Sequence, residues 1–203
     1  MAENIKAVIF DWGGVLIDDP AYPLVQYFAK ALNVAEADYQ KAYYKFQEDF
    51  HKGILTEDKF WAKVCEQLNV PRPKVHSLWG QGFKAVYSPK RKVFSLAKSL
   101  RKKGYKIGFL SNTEEPSMCF FYQQGYDIFD ALVFSCEEEV MKPQKVIYKR
   151  VVDMLGVKPK EAVFIDNNPE FVDGAKQAGL NAILFKDIDQ IKKELADLSV
   201  KVD

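Results

Sequence analysis

The chain has 203 residues, of which 48% are hydrophobic and 28% charged, with a formal net charge of +1. That length supports one good core plus a small accessory subdomain, and near-neutrality with basic residues spread along the chain gives no electrostatic case for nucleic acid or an acidic membrane as partner. Three cysteines without close pairing, Cys65, Cys119 and Cys136, point to neither a disulfide framework nor a zinc site.

The stretch Met1 to Lys6 has no apolar segment of signal length and no later run approaches a membrane span, so a cytoplasmic protein is expected. The first predicted strand is the apolar run Ala7–Phe10, ended by Asp11. From about Pro20 to Tyr87 there is no strand-like run but several amphipathic helical ones, so a helical insertion is expected. Tyr39, Tyr43, Phe46 and Phe50 form one helical stripe, and Thr56 before Glu57 and Asp58 reads as a helix N-cap. Lys90-Arg91-Lys92 and Arg101-Lys102-Lys103 then mark the solvated ends of one further helix.

Strand-like runs follow at Lys106–Leu110, Ala131–Phe134, Ala162–Ile165 and Asn181–Phe185, with helical periodicity over Pro143–Leu155 and Glu170–Ala178. The runs are too apolar to alternate, which is how strands buried on both faces of a parallel sheet read. Strand and helix in alternation predict an α/β fold with a doubly wound parallel sheet. The last residues, from about Ser199, are expected to fray.

In open α/β sheets ligands bind at the carboxyl ends of the strands. There the sequence places Asp11, then Ser111-Asn112-Thr113, then Glu137-Glu138-Glu139 followed by Met141-Lys142-Pro143, then Asp166-Asn167-Asn168. Singly each has a plain structural role open to it: Asp11 and Asp166 as turn residues, Ser111 as a helix cap, Lys142 as a solvated side chain. Together, an acid, a hydroxyl, a lysine and a second acid at successive strand ends form a coherent set. Two carboxylates can hold a hard divalent cation, a hydroxyl and backbone N–H groups can bind phosphate oxygens, and a lysine can offset charge as a carboxylate attacks phosphorus.

These residues carry a resemblance to the haloacid dehalogenase superfamily. "VIFDWGGVLID", "GFLSNT", "MKP" and "VFIDNNPEFVDGAKQAGLNAILF" are similar to its four motifs in order, over nearly the whole chain. The resemblance implies a Rossmann-like core, residues 1–17 and 88–203, with a helical cap inserted at 18–87. It implies a phosphatase of small phosphorylated metabolites; a monomer or small homo-oligomer is expected, and the charge and hydropathy give neither nucleic acid nor membrane as partner. Asp11 would be the nucleophile that forms an aspartyl-phosphate. Ser111 and Asn112 would bind the transferring phosphoryl group, and Lys142 would bridge nucleophile and phosphate. Mg²⁺ would be held by Asp11, the main-chain oxygen of Gly13, and Asp166.

Two departures qualify that expectation. Phosphatases of the family mostly carry an acid where this chain has Gly13, and a second acid where it has Asn167. Without the first, substrates with acidic leaving groups, such as sugar 1-phosphates or acyl phosphates, are favoured. A metal-independent 2-haloacid dehalogenase-like hydrolase and a catalytically weak phosphate-binding or regulatory protein stand as alternatives. In the cap the aromatic stripe reads as core, Asp18 and Asp19 as hinge or helix-cap residues, and His51, Trp79, Gln81 and Lys84 lie near cap turns without an assigned role.

Overall fold

The computed structural model describes residues 4–202. Residues 1–3 and 203, assigned to the core from sequence, lie outside them. In chain order the elements are β1 (Ala7–Phe10), α1 (Ala21–Leu32), α2 (Glu36–His51), α3 (Glu57–Leu68), α4 (Leu78–Val86), α5 (Arg91–Lys102), β2 (Lys106–Ser111), α6 (Glu115–Gln123), β3 (Ala131–Phe134), α7 (Ser135–Glu138), α8 (Lys145–Leu155), β4 (Ala162–Asp166), α9 (Pro169–Gln177), β5 (Asn181–Leu184) and α10 (Ile188–Asp197). No helix among the described residues is long and apolar enough to cross a membrane.

The five strands form one parallel sheet in the order β3-β2-β1-β4-β5. Each side chain of β1 is fully buried, because the central strand is covered on both faces. Val8 and Phe10 face Leu96 and Leu100 of α5 and Phe121 of α6 in one apolar cluster, while Ala7 and Ile9 face Ile147, Val151 and Leu155 of α8 in the other. The chain runs from β1 outward through β2 and β3, then returns to add β4 and β5 on the other side. The direction of winding therefore reverses between β1 and β4, the place where such sheets open a crevice. Register sets what lines it: Phe10 lies opposite Phe109 and Ile165, so Asp11 emerges beside Asp166.

The helical insertion is α1 to α4. Its departure and return run side by side: Ile17 pairs with Pro89, the Asp18 N–H donates to the Ser88 carbonyl at 2.9 Å, and Ser88 Oγ donates to Asp18 Oδ2 at 2.6 Å. As the sequence predicts, Thr56 caps α3, accepting from the Lys59 N–H at 3.4 Å. Phe28, Tyr39, Phe60, Trp61 and Trp79 fill the centre of the insertion and belong to the same cluster as the α5 and α6 side of the sheet. Trp12 joins the two, with its ring 4.8 Å from Phe83 of α4 and 5.4 Å from Phe121. The end of the chain is better anchored than its sequence suggests, since Val200 is buried and its N–H donates to the Leu195 carbonyl at 2.9 Å.

Candidate active site

At the carboxyl edge of the sheet, Lys142 Nζ lies 2.7 Å from Asp11 Oδ1 and 2.6 Å from Asp166 Oδ2. Asp11 is 7% exposed, Lys142 1% and Asp166 0%, so the solvated reading of Lys142 does not hold. Two carboxylates and one ammonium leave one formal negative charge in a site from which water is largely excluded. Burial, reinforced by the Asp166 carboxylate and opposed by Lys142, pushes the Asp11 carboxyl up to about 7. Burial works against the Lys142 ammonium, but Asp11 and Asp166 together outweigh it and hold its pKa above the ordinary lysine value.

The other Asp166 oxygen, Oδ1, accepts the Asn168 N–H at 2.8 Å, and Asn168 Oδ1 accepts the Glu170 N–H at 2.9 Å to cap α9. Asp166 therefore holds its turn and also faces Lys142. Ser111, 4% exposed, is the last residue of β2 and does not cap α6, which begins only at Glu115. The side chain of Asn112 has a part that the sequence did not reveal. Its Nδ2 donates to the Lys142 carbonyl at 3.0 Å and its Oδ1 accepts the Lys142 N–H at 2.8 Å. This two-point clamp fixes the backbone of a lysine thirty residues away.

Gly13 and Gly14 complete the floor. Gly14 has φ of 84°, and a Cβ there would lie 2.3 Å from Asn167 Nδ2, so both conformation and close packing require glycine. A Cβ on Gly13 would lie 3.1 Å from Pro20 Cδ, tight but not prohibitive. Among the described residues no group of three or more His, Cys, Asp or Glu gathers in a metal-binding cluster. The donor set here is two carboxylates, with Gly13 lining the same cavity, which fits a hard cation that keeps several waters and shares substrate oxygens.

These residues open into a cavity of about 440 Å³, lined by Asp11, Gly13, Ser111, Asn112, Lys142 and Asp166 on the core side. Its other wall comes from the insertion, where Tyr39, Tyr43, His51 and Trp79 line it. The aromatic stripe of α2 is thus divided. Phe50 packs in the interior against Phe60, with ring centroids 4.2 Å apart, and Tyr39, 1% exposed, is interior as well where it borders the cavity, whereas Tyr43 is partly exposed and forms pocket wall. Gln81 and Lys84 do not line the cavity; Asp19 does, with Oδ1 accepting the Ala21 N–H at 3.0 Å.

Glu114, not singled out in the sequence, is 5% exposed and its Oε1 lies 2.6 Å from His51 Nε2. Its Oε2 accepts from Ser117 Oγ at 3.0 Å, and Ser117 Oγ accepts from Trp79 Nε1 at 3.0 Å. A buried polar seam therefore ties α2 and α4 of the insertion to the β2–α6 loop. The signal available in the sequence was an acid three residues beyond Ser111, in the loop that already held site residues.

The chain is 24% identical, over 89% of its length and 89% of theirs, to the sesquiterpene phosphatase of Aspergillus oryzae. It is 28% identical over 88% of its length, and 84% of theirs, to a phosphorylated carbohydrates phosphatase of Thermotoga maritima. Other curated relatives are longer, and it spans 19% to 28% of three of them. A HAD family enzyme of Bacteroides thetaiotaomicron, solved in complex with magnesium and inorganic phosphate, superposes with a TM-score of 0.74 at 24% identity, covering 93% of this chain and 99% of that one. The family model for haloacid dehalogenase-like hydrolases matches residues 5–179. With a parallel sheet whose switch point carries Asp11 and Asp166, and a family match over most of its length, the chain belongs to the haloacid dehalogenase-like hydrolases.

Proposed function

We propose that the protein is a Mg²⁺-dependent phosphatase of small phosphorylated metabolites that works through an aspartyl-phosphate on Asp11. The observation that carries this reading is the buried array in which Lys142 bridges Asp11 and Asp166. Relatives named as phosphatases, and a structural neighbour solved with magnesium and phosphate, support it. The helical insertion, residues 18–87, serves as a cap over the core formed by residues 1–17 and 88–203.

In this mechanism an Asp11 carboxylate oxygen attacks phosphorus, and the bond from phosphorus to the ester oxygen breaks with its electron pair leaving on that oxygen. Lys142 offsets the charge gathered between nucleophile and phosphoryl group, in a site where fixed charges act with little screening. Ser111 and the Asn112 backbone hold the phosphoryl oxygens, and the Asn112 side chain keeps Lys142 in register. Asp11, the Gly13 main-chain oxygen and Asp166 would hold Mg²⁺, which supplies charge neutralisation at the phosphoryl oxygens. Water then attacks the phosphorus of the acyl phosphate, the bond from phosphorus to the Asp11 oxygen breaks to restore the carboxylate, and the protons of the water leave with the released inorganic phosphate. Gly13 offers no proton to the departing oxygen, so leaving groups that are stable as anions, as in sugar 1-phosphates and acyl phosphates, turn over best.

The test is a screen of phosphorylated metabolites with wild type and Asp11→Asn in parallel, each with Mg²⁺ and with EDTA. The reading predicts Mg²⁺-dependent release of phosphate by wild type and loss of at least about 10³-fold in the variant. Activity that survives EDTA would favour the dehalogenase-like alternative, and equal activity in both proteins would remove Asp11 as nucleophile.

A further inference from the structure

The wall that the insertion contributes to the cavity says what kind of leaving group it accepts. Lys142 is the only lysine or arginine among the described residues that line the cavity, and both Asp11 and Asp166 already engage it. Facing it are the accessible rings of Tyr22, Tyr43 and Tyr44 and the neutral amides of Gln40 and Gln47, while Tyr39 and Trp79 border the cavity from the interior. The acids on this side are Asp19 and Glu114, and Glu114 is occupied by His51 and Ser117. A second phosphate or a carboxylate on the substrate would therefore meet no free cation and two acids. Burying such a group unpaired carries a heavy desolvation penalty. A broad apolar face, by contrast, would displace water from the accessible rings of Tyr22, Tyr43 and Tyr44.

We infer that the substrate is a phosphate monoester whose organic part is uncharged and presents a broad apolar face to the α1 and α2 wall, and that substrates with a second anionic group are rejected. The inference rests on the phosphatase reading for turnover, but the subsite can be tested without it. Tyr44 lines the same wall and is 61% exposed, so an arginine there adds a cation without disturbing the interior.

The experiment compares 2-naphthyl phosphate with 4-carboxyphenyl phosphate, two aryl esters of closely similar leaving-group acidity, in the presence of Mg²⁺. Expected is a kcat/KM for the naphthyl ester at least about tenfold higher in wild type, and a ratio narrowed at least about threefold in Tyr44→Arg through a gain on the carboxyphenyl ester. Calorimetric titration of both esters into Asp11→Asn should give the same ranking in affinity. Equal or better use of the carboxyphenyl ester by wild type, or an unchanged ratio in Tyr44→Arg, overturns the inference. If wild type turns over neither ester while the binding ranking holds, the phosphatase reading falls and the subsite stands; if the binding ranking is absent as well, both fall.

Discussion

Asp11 and Asp166 share a single ammonium in a nearly dry site, and that imbalance has a thermodynamic signature at Asp11. Its carboxyl titrates near 7 in the folded protein against an ordinary value of 3.8. Between those two values the folded state holds a proton that the unfolded state has released. The contribution of Asp11 to stability is therefore fully present below the unfolded pKa and is lost as pH rises through the folded one. An asparagine cannot ionise, so Asp11→Asn is free of that loss. In EDTA, the stability gain of Asp11→Asn over wild type should grow with pH at up to about 1.4 kcal/mol per unit between about pH 4 and about pH 7, then level off. Urea unfolding of both proteins across that range checks it. A difference that does not change with pH would show that Asp11 is not strained in the fold.

At the scale of elements, the proposed mechanism makes the turn from β1 into α1 the place that decides how the departing oxygen is treated. Gly13 has no side chain, and Pro20 at the start of α1 stands 3.1 Å from where its Cβ would be. An aspartate fits there if Pro20 gives by a few tenths of an ångström. Positioned acids contribute about 10²–10⁴ in rate, so Gly13→Asp should raise turnover of primary-alkyl phosphates by about tenfold or more while changing aryl phosphates little. The readout is the dependence of kcat/KM on leaving-group acidity, which should flatten, and Gly13→Ala separates the steric effect from the acid. A uniform change across all esters would mean that the missing acid does not limit this enzyme.

The same elements show what a sequence can and cannot carry. Ala7–Phe10 and Ala131–Phe134 could be read to the residue, because strands covered on both faces leave an unbroken apolar run. Asp11, Ser111, Lys142 and Asp166 could be placed together because strand ends in a parallel sheet converge. Tyr39 is core as the stripe suggests, but the Tyr43 wall could not be separated from core, since a helical stripe looks the same whether it meets a neighbour or a cavity. His51 and Glu114 were invisible as a pair, being 63 residues apart with no local pattern to join them. The Asn112 clamp on Lys142 was hidden for the same reason.

For the molecule as a whole, the insertion and the sheet are packed as one body around Trp12, the residue next to the proposed nucleophile. The apolar cluster continues from α5 and α6 into the insertion, and the seam from His51 through Glu114 and Ser117 to Trp79 ties the same two parts beside the cavity. On the proposed reading, the insertion supplies the wall that receives the leaving group, while the strand ends supply the groups that act on phosphorus. The proposed function makes one demand that the dehalogenase-like and binding-only alternatives do not: the phosphoryl group passes through Asp11. Acid-quenched enzyme, stopped during turnover of an aryl phosphate with Mg²⁺ and mapped by peptide mass spectrometry, tests it directly. The account predicts a single acid-stable, base-labile phosphoryl group on the peptide that contains Asp11, absent in Asp11→Asn. Phosphate release without any such adduct in wild type, or an adduct that persists in the variant, would contradict it.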